Sequence, residues 1–156
     1  MIEKNTRGEI DQFLTCKTLA VAGASRKEKS FSASAIAHLR SLGYEVLLVN
    51  PNFTENSSER NEYKALADLP DKINHLLVLT SAQQTTTVIK QAIEKGIGNI
   101  WIQQKSDTPE ALDLCRIHHI NVIANHCIFM FSQPEGMHKF HYGMKKFFGT
   151  LPVRTL

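Results

Sequence analysis

The sequence predicts an α/β protein: a single Rossmann-like domain whose five parallel strands, in the order 3-2-1-4-5, carry helices on both faces. Three observations lead there. Short apolar runs alternate with longer segments of helical periodicity. The runs are apolar on consecutive positions, as strands buried on both faces require. The spacing between runs leaves room for a helix each time, so right-handed βαβ crossovers make the sheet parallel. The flavodoxin-like order is the competing solution, because periodicity does not choose between the two.

Residues 8–15 (GEIDQFLT) form a short leading helix, and Thr18–Ala22 (TLAVA) the first strand. Residues 31–42 place apolar side chains at 33, 36, 39 and 42 on one helical face, and Gly43 stops the helix. Residues 44–49 (YEVLLV) make the second strand, closed by Asn50-Pro51; 52–62 reads as a polar loop and 63–69 as at most a short helix. His75–Leu79, Asn99–Ile102 and Asn121–Ala124 are the remaining strands. Helices over 83–95, stopped by Gly96, and 108–118, with Pro109 in the first turn, connect them.

The end of the chain differs in kind. Residues 136–148 set Met137, Phe140, Met144 and Phe147 near one face, with Lys139, Lys145 and Lys146 elsewhere. This predicts an amphipathic helix with a basic polar side. Residues 1–131 are therefore expected to form the ligand-binding domain. Residues 132–156 form an extension packed on that domain or on a second subunit, which would make a homodimer.

The 156 residues suffice for one core, and 42% hydrophobic with 21% charged residues is ordinary for a globular protein. The longest apolar runs are too short to span a bilayer, and residues 1–13 lack the apolar stretch of a secretory signal. Three widely spaced cysteines, Cys16, Cys115 and Cys127, without a CxxC pair, point to a reducing compartment and a cytoplasmic location. A net charge of +3 is too mild to mark a nucleic-acid binder, so the expected partner is a small anionic molecule, with no nucleic acid and no membrane.

In an open α/β sheet, ligands bind beyond the carboxyl ends of the strands, beside the first one. That places the site on Gly23-Ala24-Ser25-Arg26-Lys27-Glu28-Lys29-Ser30-Phe31-Ser32. Gly23 permits a sharp turn and close approach, Ser30 or Ser32 caps the next helix, and Arg26, Lys27 and Lys29 add positive charge. A phosphate-bearing ligand is expected. The P-loop pattern GxxxxGK[ST] is absent, and the dinucleotide pattern GxGxxG fails where Ser25 and Glu28 stand. Asn50 occupies the place of the acidic residue that would hold the ribose hydroxyls of NAD; NADP, served by a basic residue, is less disfavoured.

These residues resemble a known family. GASRKEKSF followed by GYEVLLVNPN, then YKALADLP, WIQQKSDTPEALDLC, INVIANHCIFMF and HKFHYGMKKFFG, are similar to the CoA-binding domain family related to the succinyl-CoA synthetase α subunit. The resemblance covers roughly residues 17–150. It implies a Rossmann fold and a bound CoA, with Gly23, Ala24, Ser25 and Arg26 along the pyrophosphate and Lys29, Ser30 and Phe31 nearby. Asn50 and Pro51 would border the ligand at the second strand, Leu79 and Thr80 at the third near the adenine, and Gln103 at the fourth. Asn125, His126 and Cys127 would stand where the synthetases have a Pro-Asn-Cys turn. The chain departs from the family pattern at Ser32 and Lys105, where glycines are expected, and at Ser81, where proline is common. The synthetases' phosphohistidine lies in a second domain outside the resemblance.

Cys115, His118, His119, His126 and Cys127 invite a zinc reading. A strand about 17 Å long separates the two groups, too far for one site. No Ser/His/Asp set or paired carboxylates assemble. The expected function is a CoA- or acyl-CoA-binding module without catalysis. An NADP-dependent reductase and an interaction protein with a vestigial site are the alternatives.

Overall fold

The structure, a computed structural model, describes residues 4–132. The expected helix over 136–148 lies outside them. A Thr6–Glu9 capping box opens α1 (Arg7–Thr15): Glu9 N–H donates to the Thr6 hydroxyl and Thr6 N–H to the Glu9 carboxylate. Then follow β1 (Thr18–Ala22), α2 (Phe31–Ser41), β2 (Glu45–Val49), β3 (Glu62–Tyr63), a 3₁₀ turn (Leu66–Asp68) and β4 (His75–Val78). The chain continues through α3 (Ala82–Lys95), β5 (Asn99–Gln103), α4 (Pro109–Ile117), β6 (Asn121–His126) and α5 (Ile128–Ser132).

All six strands are parallel, in the order β3-β2-β1-β4-β5-β6. Two expectations are corrected. The sheet has six strands, not five, because the chain after the 52–60 loop pairs two residues with the free edge of β2. Leu48 N–H donates to Asn61 O, and Asn50 N–H to Tyr63 O. A two-residue strand is too short for any periodicity to register. The strand beginning at His75, expected beyond β2, lies on the other side of β1, with Val21 opposite Leu77. Its former place is taken by β3, which restores the Rossmann numbering.

The sheet is covered on both faces. Ala20, Ala22, Leu47, Val49, Leu76, Val78, Ile100 and Ile102 face a core built with α3, α4 and the 3₁₀ turn. Leu19, Val21, Val46, Leu77 and Trp101 face α1, α2 and α5. This alternation is the pleat, apolar on both sides. The outer edge of β6 is held by Asn5, whose amide donates to Val122 O and accepts from Ala124 N–H. At the other end of β6, Asn125 sits at φ +60 and the register slips beside Gln103. This bulge turns the chain into α5, a helix that the sequence reading omits.

Candidate functional site

A cleft of about 800 Å³ opens beyond the carboxyl ends of β1, β2 and β4, within the size range of small-molecule sites. It stands where the chain order reverses: from β1 the chain runs outward to β2 and β3, then returns to β4 on the opposite side. Strand exits diverge at such a point and leave a crevice.

The chain leaves β1 through Gly23 at φ +88, a conformation that glycine adopts without penalty. A Cβ there would stand 2.9 Å from both the Leu79 carbonyl carbon and the Thr80 nitrogen. The two loops thus meet backbone to backbone. Gly23 N–H donates to Val49 O and Leu79 N–H to Ala22 O, which extends the ladder on either side.

The loop after Gly23 is braced by hydrogen bonds within itself. Ser25 N–H donates to the Ser32 hydroxyl at 2.9 Å, and Lys27 N–H to the Ser25 hydroxyl at 3.1 Å. Ser30 caps α2 by accepting from Ala33 N–H. Ser32, in the place of an expected glycine, is therefore a loop-closing residue. At the end of β2, the Asn50 amide donates to Ala24 O at 2.5 Å, and its oxygen accepts from Asn52 N–H at 2.8 Å. Both ends of that side chain bond to backbone.

Three cations line the cleft: Arg26, Lys27 and Lys64. The Arg26 guanidinium lies 5.4 Å from the ring centroid of the buried Phe53, a cation–π distance. Among the described residues none of the three has a carboxylate partner, and no aspartate, glutamate, histidine or cysteine lines the cleft. The facing wall is α3, with Gln83, Gln84, Thr87, Val88 and Gln91. Ser81 precedes that helix without capping it. Ala22, Val49, Leu66 and Leu79 supply apolar surface. The lining offers positive charge, amides and hydroxyls to an anionic, partly apolar molecule, and no side chain that ordinarily titrates near neutral pH.

Of the residues expected at the site, Gly23, Ala24, Ser25, Arg26, Asn50, Pro51, Leu79 and Thr80 line this cleft. Lys29, Ser30 and Phe31 do not; Phe31 is 47% exposed and packs edge-on against Phe129. The cleft opens on the α3 side of the sheet, away from the first turn of α2. Gln103, Asn125 and Cys127 lie at the exits of β5 and β6. There Gln103 is buried and its side-chain oxygen accepts from Ile128 N–H, which seats α5. Lys105, the other departure from an expected glycine, adopts φ +74.

Sequence reasoning missed Lys64 to Leu66 and the α3 wall. A signal for the wall existed, since Gln83, Thr87 and Gln91 recur every fourth residue on one stripe of α3. None existed for Lys64, whose position depends on β3.

A family model for the CoA binding domain matches residues 17–133. Solved structures with this fold include Prb, the PH1109 protein redesigned for binding. It is 29% identical over 82% of this chain and 90% of that one, with a TM-score of 0.73. A hypothetical protein from Pyrococcus horikoshii OT3 is 29% identical over 82% and 94%, with a TM-score of 0.71. The cell-free ID.343 protein from Thermus thermophilus is 26% identical over 80% and 94%, with a TM-score of 0.71.

Proposed function

Because this chain belongs to the CoA-binding domain family, we propose that it binds coenzyme A or an acyl-CoA in the cleft at the β1, β2 and β4 exits and acts as a non-catalytic module. One observation carries the reading: three cations without carboxylate partners among the described residues line an acid-free cleft at the point where the chain order reverses. Arg26 and Lys27 serve the pyrophosphate, and Gln84, Thr87 and Gln91 the polar edge of the adenine. Gln103, Asn125 and Cys127, further along the same end of the sheet, are in the direction that the pantetheine arm takes.

Within the rival nicotinamide reading, NAD is disfavoured at Asn50, which offers no carboxylate to a ribose diol and whose amide already bonds to Ala24 O and Asn52 N–H. The test is thermal unfolding with added ligand. CoA raises the melting temperature in proportion to the logarithm of its concentration, since a ligand at a hundred times its Kd stabilises by about 2.7 kcal/mol. No shift with millimolar CoA, together with a shift by NADP, overturns the proposal.

A further inference from the structure

We infer that Lys64 selects ligands that carry a phosphomonoester on the ribose, over ligands whose ribose is bare. The inference deepens the proposed reading of the cleft and rests on it for the position of the ribose.

The residue just past the second strand of a doubly wound sheet meets the ribose. A carboxylate there binds a free diol, and a nearby cation accommodates a phosphate. Here the position belongs to Asn50, which is uncharged and whose amide bonds to Ala24 O and Asn52 N–H. The neighbouring strand answers instead. β3 is parallel to β2 with Tyr63 opposite Val49, so Lys64 leaves β3 in step with Asn50 leaving β2. Asn50 N–H donates to Tyr63 O, and Lys64 N–H to the Asn56 side-chain oxygen. Together these bonds fix the backbone that presents the lysine to the cleft.

The ammonium is available there. Lys64 is exposed, lines the cleft and has no ion pair among the described residues. The nearest acid in sequence, Glu62, is engaged by Arg60 at 2.9 Å, so it does not neutralise the lysine. A single ammonium against a dianionic phosphate gives a charge-assisted contact that a ribose hydroxyl does not match.

Two ligand classes share this chemistry: CoA, phosphorylated at the ribose 3′ position, and NADP, phosphorylated at the 2′ position. The experiment measures Kd by isothermal titration for the pairs CoA and dephospho-CoA, and NADP and NAD, on the wild-type chain, Lys64→Gln and Lys64→Arg. The expected result is that wild type prefers CoA to dephospho-CoA by about tenfold or more. Lys64→Gln then reduces that ratio below about threefold by weakening CoA alone, and Lys64→Arg restores it. The same pattern with NADP over NAD, in a chain that ignores CoA, supports the role of Lys64 and overturns the CoA reading. A ratio unchanged in Lys64→Gln, or equal weakening of both members of a pair, overturns the inference. Binding of none of the four overturns both.

Discussion

The side-chain amide of Asn50 donates to the backbone carbonyl of Ala24 at 2.5 Å, and so ties the exit of β2 to the loop that follows β1. The same side chain accepts from Asn52 N–H, so one residue sets the relative position of two walls of the cleft. Asn50→Ala leaves the Ala24 carbonyl and the Asn52 N–H without this partner. It is expected to cost about 1–2 kcal/mol of stability and to weaken CoA binding. Asn50→Asp, which retains the acceptor for Asn52 but loses the donor to Ala24, falls between. Urea unfolding and titration calorimetry on the same preparations check both.

Gly23→Ala meets two obstacles at once. The φ of +88 is unfavourable for any side chain, and the new methyl would press on the Leu79 and Thr80 backbone at 2.9 Å. The expected loss is about 2–4 kcal/mol, with CoA-induced stabilisation abolished because the β1 and β4 exits are forced apart. A Gly23→Ala chain with wild-type unfolding and wild-type ligand response contradicts the close approach.

Arg26 is exposed at the mouth of the cleft. Arg26→Ala is expected to weaken CoA binding about tenfold and to flatten its salt dependence, since one screened charge contact is lost. Stability changes by less than about 1 kcal/mol, the worth of its stacking on Phe53. A ligand-induced stabilisation that does not change in Arg26→Ala favours a vestigial site.

Cys115, on the core-facing side of α4, is fully buried, and burial pushes its thiol up to about 11. The unfolded chain therefore ionises this thiol before the folded one does. Its contribution to stability is complete below about pH 9 and is lost as pH rises towards 11. Urea midpoints should fall across that window by more in wild type than in Cys115→Ala. Ellman's reagent should reach Cys115 only on unfolding.

Lys105 holds φ +74, where a side chain costs about 1–2 kcal/mol that glycine avoids. After glycine's greater entropy in the unfolded chain, Lys105→Gly is expected to stabilise by about 0.5–1 kcal/mol. Thermal unfolding measures it. If Lys105 is instead a ligand contact, the same variant loses CoA affinity while gaining stability.

Much of the fold was legible because each signal was local. Thr18–Ala22 is a strand in the sequence reading and in the structure, and the helix over 83–95 differs from α3 by one residue. Gly96 ends that helix at φ +84, as its place in the sequence predicts. Part of the cleft was legible for the same reason, since Gly23, Arg26, Asn50 and Thr80 follow strands that periodicity locates.

By itself the sequence determined the α/β class, the parallel sheet and the position of the glycine turn, because apolar spacing and turn chemistry act over a few residues. It also carried the family resemblance. Only the tertiary structure decided that β3 exists, that the strand beginning at His75 pairs with β1, and that the cleft opens towards α3 rather than the first turn of α2. Those outcomes depend on which strand edges meet across tens of residues. Lys64 reaches the cleft only because Glu62 and Tyr63 pair with the edge of β2.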